Sequence, residues 1–356
     1  MMTTMRTKMT VRNRSTVTLQ RSFLFRLIPA LLLLAGFLFT VPTTLQGQVN
    51  LNETLKRWEF TTDTSRVPGT TRWKNKWSRI EAERNKSYIT LNGIKVWLNS
   101  PITEGNGIYY IQRHDFDKTF FPIVAPQPDV SAPVVRRIVI DPGHGGKDPG
   151  MQNTRMGLNE KALTLDVARR LKFILEQRGI KVTLTRSTDA FVELDDRSLI
   201  AKRVNADLFV SIHFNSAGTA NTSANGVETY ILTPQGQYST NDARRVARPA
   251  EVNAREIGHG HDRWNALLGY YLQATLVDKL DAEDRGLRRA RFTVLKDLPC
   301  PGALIECGFL SNPSDATLIS SAAYREKIAQ GVADGVLQYQ GIMQRLASQN
   351  RAAVRR

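Results

Sequence analysis

The chain has 356 residues, enough for one sizeable domain and a smaller companion. Hydrophobic residues make up 41% and charged residues 23%, a globular balance that excludes a disordered or collagen-like chain. The net charge of +16 comes without a zinc finger, an RNA-binding signature or a basic–aromatic repeat, so nucleic acid is not the expected partner.

Residues 1–47 carry Arg6, Lys8, Arg12, Arg14, Arg21 and Arg26 and no acid. An apolar run from Leu27 to Val41 follows, then small and polar residues, which is the pattern of an export signal. The run falls short of the ~20 residues that span a bilayer. Cleavage is therefore expected, with membrane contact only through this segment if it is retained, although Leu45-Gln46-Gly47 is a poor cleavage site. The expected location is outside the cytoplasm, in the periplasm or cell envelope. The rest of the chain keeps a charge of +10, which suits an anionic partner there, such as cell-wall polymer or a membrane surface. Cys300 and Cys307 are expected as two free, buried thiols, because Cys307 sits in an apolar strand-like run.

Residues 48–74 are polar and read as a linker. Residues 75–127 read as a small β-containing module: Ser87 to Leu98 alternates around Asn92-Gly93, a hairpin signal, and Gly107 to Ile111 gives another strand. Asp115 to Val124 reads as a short helix, and the prolines at 126, 128 and 133 mark a boundary. From 134 to 345, strand-like runs (Arg137–Asp141, Lys181–Arg186, Leu208–Phe214, Gly226–Leu232, Phe292–Leu295, Ala303–Phe309) alternate with helical patterns (Glu160–Arg178, Asp195–Asn205, Trp264–Leu280, Tyr324–Ile342). This order predicts an α/β fold: a twisted, mostly parallel sheet of about six strands between helix layers, preceded by the small module. Gln344 to Arg356, including the tail 346–356, is basic and expected to fray.

Three residues stand where such a sheet builds its sites. His144 lies in the Gly/Pro-rich turn after the first strand, Asp141-Pro142-Gly143-His144-Gly145-Gly146. Glu160 opens the first long helix, and His213 ends the strand Val210-Ser211-Ile212-His213. In a parallel sheet all three emerge on one edge. Two imidazoles and a carboxylate, with a fourth position open, are the ligand set of a catalytic zinc ion. Singly, the glutamate reads as a complement to the helix dipole and each histidine as a hydrogen-bonded structural group. Glu306 adds a carboxylate inside the apolar run Leu304-Ile305-Glu306-Cys307-Gly308-Phe309. It reads either as the partner of a base between Arg285 and Arg291 or as a general base of raised pKa.

Val139-Ile140-Asp141-Pro142-Gly143-His144-Gly145-Gly146, Asp148-Pro149-Gly150, Asn159-Glu160-Lys161, Ser211-Ile212-His213-Phe214-Asn215, Arg285-Gly286-Leu287-Arg288 and Leu304-Ile305-Glu306-Cys307-Gly308-Phe309 occur in this order. Over residues 136–340 the chain resembles the zinc-dependent N-acetylmuramoyl-L-alanine amidases of the bacterial cell wall. The resemblance implies that His144, Glu160 and His213 bind one Zn²⁺ and that Glu306 is the catalytic carboxylate. It also implies peptidoglycan as the partner, cut at the amide between the lactyl group of MurNAc and L-Ala of the stem peptide. Asn215 shares the side of the strand with His213 and reads as a structural turn contact or as a substrate contact; Asp141 is expected to hold the turn rather than to bind metal. An activator protein is conceivable and the sequence names none. Two alternatives stand beside this reading: a non-catalytic wall-binding protein on the same fold, and a zinc peptidase cutting within the stem.

Two further features complete the reading. The stretch 234–263 is longer than an ordinary loop and carries Glu251, Glu256, His259 and His261. It is read as a surface excursion shaping the substrate groove or as a lid over the metal. Leu91-Asn92-Gly93-Ile94-Lys95-Val96 and Gly105-Asn106-Gly107-Ile108-Tyr109-Tyr110 loosely resemble the small N-terminal domain of copper amine oxidases, with a wall-binding role or a structural cap as the two expectations.

Overall fold

Runs of β-branched residues bounded by turns build one large sheet, and its strand directions decide what meets what. The computed structural model describes residues 47–63, 67–127, 134–218, 222–240 and 247–354, with side chains to residue 349. The expected export segment lies almost wholly outside them. No helix among the described residues is long and apolar enough to cross a membrane.

The N-terminal strands are β1 (Gln48–Asn50), β2 (Thr61–Asp63), β3 (Thr70–Lys74), β4 (Arg79–Glu83), β5 (Tyr88–Leu91), β6 (Ile94–Trp97), β7 (Thr103–Gly105) and β8 (Ile108–Gln112). Then come β9 (Arg137–Pro142), the short β10 (Gln152–Asn153) and β11 (Leu158–Asn159), β12 (Lys181–Leu184), β13 (Leu208–Asn215), β14 (Val227–Leu232), β15 (Asp284–Ala290) and β16 (Gly302–Phe309). The main sheet has the order β12-β9-β13-β16-β14-β15-β6-β5-β4-β3-β2. Strands β12, β9, β13 and β16 run parallel. Strand β14 is antiparallel to β16, and β15 and β6 follow the direction of β14. The sheet is thus mixed and flanked by helices.

The helices Glu160–Glu176, Asp262–Leu280 and Ala322–Val354 cover one face. Leu171 and Leu175, Leu268 and Leu272, and Val332 and Val336 recur at helical spacing and are fully buried there. On the other face the helices Leu194–Arg203 and Thr293–Lys296 close a smaller cluster with Val139, Phe209, Tyr230 and Leu304. Cys300 and Cys307 are free and buried.

Three expectations need correction, and one is met. Phe292–Leu295 is not a strand: Thr293–Lys296 is one helical turn that tucks Val294 and Leu295 into the smaller cluster. The strand here is the charged Asp284–Ala290, whose arginines hid it and whose side chains all find partners. Residues 48–74 are not a linker. They supply β1, the helix Leu51–Arg57, β2 and β3, and bury Val49, Leu51, Leu55, Trp58 and Trp73. These join residues 80–125 and the later helices in one apolar core, so the N-terminal part continues the large domain instead of standing apart from it. The hairpin at Asn92-Gly93 is present, with both residues at positive φ (50° and 86°) as a tight turn between twisted strands requires. Finally, the C-terminal helix does not fray at 344: Leu346 is fully buried and the helix runs to Val354.

Candidate metal centre

Strand β9 ends at Pro142, and the next residues turn sharply. His144 has φ 62°, a left-handed conformation that costs an L-residue roughly 1–2 kcal/mol. Two buried arginines hold it there. Arg186 donates to the carbonyls of Pro142 (3.0 Å) and Gly143 (2.8 Å). Arg197 donates to the carbonyls of Pro142 (3.1 Å) and His144 (3.2 Å). Asp141 pairs with Arg197 at 2.6 Å and accepts from Thr185 and Ser211, so it secures the turn and faces no ligand.

The glycines of this turn have a steric reason. A Cβ on Gly143 would lie 2.3 Å from the His213 ring. On Gly150, with φ +64°, it would meet both the Glu160 carboxylate and the His144 ring at 2.6 Å. Backbone with no side chain is what lets three donor groups close on one point.

Glu160 Oε1 lies 3.0 Å from His144 Nε2 and 3.0 Å from His213 Nδ1. The ligand atoms of His144, Glu160 and His213 all fall within 4.8 Å of one another. Tetrahedral zinc with bonds of about 2.0–2.1 Å would set ligand atoms about 3.3 Å apart, so the three donors fit a small four-coordinate ion. Outer partners fix their orientation. Asp148 Oδ2 sits 2.7 Å from His144 Nδ1, while the backbone N–H groups of Met151 (2.8 Å) and Phe214 (3.0 Å) donate to the Glu160 carboxylate. Burial raises the Glu160 carboxyl, but hydrogen bonds and charge from the two histidines outweigh it and hold the group far below the ordinary carboxylate range. His144 goes the other way. Burial lowers it, and the carboxylates of Glu160 and Asp148 more than compensate. Both directions describe a pocket that favours positive charge.

Glu306 stands beside this trio. It is paired in register with His213 across β13 and β16, so both side chains share one face. Its Oε2 is buried and has no hydrogen-bond partner among the described residues. Burial, then the negative charges of Glu160 and Glu228, push its carboxyl well above the ordinary range. The alternative partners, Arg285 and Arg288, turn instead to Glu228, at 3.2 and 3.0 Å.

A family model described as N-acetylmuramoyl-L-alanine amidase matches residues 138–338. The chain belongs to this family. It is 34% identical over 222 residues to the amidase AmiA of Escherichia coli (strain K12), an alignment covering 57% of this chain and 76% of AmiA. It is 36% identical over 221 residues to the amidase AmiC of Neisseria meningitidis, covering 57% of this chain and about half (52%) of that protein. Among solved structures it is similar to the amidase AmiC2 of Nostoc punctiforme, with 36% identity, coverage of 57% of this chain and 96% of that one, and a TM-score of 0.46.

Within this amidase the structure also shows what the sequence reading missed. Glu228 is buried and accepts from Asn215 Nδ2 (2.5 Å) and the Tyr230 hydroxyl (3.0 Å) as well as from the arginines. It pairs in register with Glu306. The signal was available, since a lone acid inside the apolar run of Val227–Leu232 is the same clue that singled out Glu306. Asn215 spends its amide on Glu228 and on the N–H of Ser216, so it braces the site and its amide is committed.

The stretch 234–263 does not reach the metal end in its described part. It leaves the C-terminal end of β14, which runs opposite to β13 and β16, and so starts on the far edge of the sheet. His259 bonds the Thr233 carbonyl and the Glu256 N–H, and Glu251 pairs with Arg248. Thr240 N donates to the Arg289 carbonyl (2.9 Å). Arg289 is itself buried and bonded to Lys118 O and Thr119 Oγ1. A lid over the three donors does not fit that position among the described residues.

Proposed function

We propose that this amidase hydrolyses the bond between the lactyl carbonyl of MurNAc and the L-Ala nitrogen of peptidoglycan, with one zinc ion held by His144, Glu160 and His213. Zinc, when bound, supplies a Lewis acid that acidifies water and polarises the carbonyl. The chain's own groups do the rest. The fixed tautomer of His144, set by Asp148, presents its Nε2 to the centre. Glu306 takes the proton of the attacking water and returns it to the departing L-Ala nitrogen. In the metal-free protein its carboxyl is held above the ordinary range, and its Oε2, with no hydrogen-bond partner among the described residues, is free to take and return a proton. Glu228 contributes to that rise across the sheet and keeps Arg285 and Arg288 from neutralising Glu306. The action is outside the cytoplasm, where peptidoglycan lies.

The observation that carries this reading is the buried Glu306 Oε2, without a hydrogen-bond partner among the described residues, on a residue paired in register with His213 of the donor trio. Incubating the protein with isolated sacculi, with and without chelator, tests it by mass spectrometry. Free stem peptides beginning at L-Ala, lost with chelator and restored by zinc, are expected. Fragments cut within the stem would replace the reading by a peptidase, and no products by a wall-binding protein.

A further inference from the structure

The strand registers place one more group of residues on the catalytic face. His213 pairs with Glu306, Glu306 with Glu228, and Glu228 with Gly286. Leu287 then pairs with Val96 in parallel, which sets Lys95 level with Gly286 and puts Lys95 and Trp97 on the face of Glu306. Tyr88 pairs with Trp97 on the neighbouring strand. The row therefore runs from the metal centre across the sheet into the N-terminal hairpin. Three strand spacings, about 14 Å, separate Glu306 from Lys95, the length of a few linked pyranose rings.

We infer that Tyr88, Lys95 and Trp97 form a subsite for amino-sugar glycan that has already lost its peptides and carries free lactyl carboxylates. This rests on the amidase reading. In that reaction the C–N bond breaks, the water oxygen stays on the lactyl carbon as a carboxylate, and the proton goes to the L-Ala nitrogen. The polymer left behind is a chain of sugar rings with one new negative charge per cut. The subsite matches both features. Tyr88 and Trp97 are half-buried and meet edge to face, with centroids 5.6 Å apart, an aromatic platform of the kind that receives sugar rings. Lys95 Nζ lies 5.4 Å from the Tyr88 ring centre and 5.9 Å from that of Trp97. Its Nζ forms no salt bridge among the described residues and acts on the buried Asp284 only at longer range, so it can meet a carboxylate resting on the platform.

The platform is joined firmly to the catalytic row. Trp97 Nε1 donates to the Arg285 carbonyl at 2.8 Å, and Arg288, which pairs with Glu228, stacks 4.5 Å from the Trp97 ring. Gly286, at φ +93°, leaves the space: a Cβ there would lie 2.7 Å from the Lys95 carbonyl and 3.0 Å from the Trp97 ring. A glycan held at the hairpin thus continues toward the metal centre, and the stripped part of a strand keeps the enzyme beside the part still carrying peptides.

Isothermal titration of the zinc-loaded full chain with peptide-free glycan strands bearing lactyl carboxylates tests this. Substituting Trp97 would disturb Arg285 and Arg288, so Lys95→Gln and Tyr88→Ala, both away from the ligands, are the variants to use, with thermal unfolding as the check on folding. Lys95→Gln is expected to weaken binding about tenfold, the scale of one charge-assisted contact. Tyr88→Ala is expected to weaken it about threefold to tenfold. Neutral N-acetylglucosamine oligomers of equal length should bind more weakly to the wild type and lose nothing further in Lys95→Gln. Equal affinity of both variants and the wild type for the lactyl-bearing strands, or equal affinity of the wild type for charged and neutral oligomers, would overturn the inference. Stem-peptide release by the wild type, followed separately, bears on the amidase reading alone, so the two failures are distinguishable.

Discussion

Two regions of this molecule are rich in histidine and acid, and among the described residues only the first forms a centre. At the C-terminal ends of β9 and β13, His144, Glu160 and His213 bring their ligand atoms within 4.8 Å. The stretch 234–263 offers Glu251, Glu256, His259 and His261, yet these are spent on neighbours such as Arg248 and the Thr233 carbonyl. Composition does not separate the regions; strand direction does. The parallel trio β9, β13 and β16 delivers its residues to one edge, whereas β14 runs the other way and carries its excursion to the far edge. Gly143 and Gly150 are places where no Cβ fits beside the ligands.

Substitutions separate the two regions, most strongly at the three donors. His213→Ala should abolish both metal binding and stem-peptide release, read by metal analysis and by mass spectrometry, while His259→Ala keeps both. Glu306→Gln should retain the metal and lower kcat by about 10² to 10⁴, the contribution of a positioned acid–base group. Asp148→Asn should weaken metal binding or activity by about 10- to 100-fold, as expected for a partner that orients a ligand. At the small end, His259→Ala should cost about 1 kcal/mol of stability for its lost hydrogen bonds, measured by denaturant unfolding, with activity unchanged. Deleting 240–260 should likewise give no rise in activity. A rise would return the lid to consideration.

Glu306 gives a pH test of the same contrast. Its folded-state carboxyl is held above its unfolded value, by burial first and by Glu160 and Glu228 next. Stability of the metal-free protein therefore falls as pH rises from the unfolded value, about 4.3, through the raised folded one. Glu306→Gln removes that dependence. At pH 7 the metal-free variant should melt at a higher temperature than the wild type, although its turnover is lower.

Much of this was legible in the sequence, for physical reasons that also explain the gaps. Val139-Ile140, Phe209-Val210 and Leu304-Ile305 sit in strands buried on both faces, and such strands announce themselves as unbroken apolar runs. Their ends carried the metal-binding candidates. Asp284–Ala290 gave no such sign because three of its seven residues are arginines. Arg285 and Arg288 are compensated by Glu228, and Arg289 by carbonyls and Thr119, all distant in sequence. Leu51, Leu55 and Trp58 were hidden by polar neighbours and declare themselves only in contact with residues near 116–121, through Trp58 on Phe116 and Phe120. The start of 234–263 on the far edge required knowing that β14 turns against β16, a pairing with no local signature.

One ion is expected at the meeting point of His144, Glu160 and His213. Anomalous diffraction at the zinc absorption edge from crystals of the zinc-loaded protein tests it most directly. The account predicts one strong peak, about 2.0–2.2 Å from His144 Nε2, His213 Nδ1 and a Glu160 oxygen, with Glu306 Oε2 nearby and not bonded to it. A peak among His259, His261 and their acidic neighbours, or none at the three donors, would contradict it.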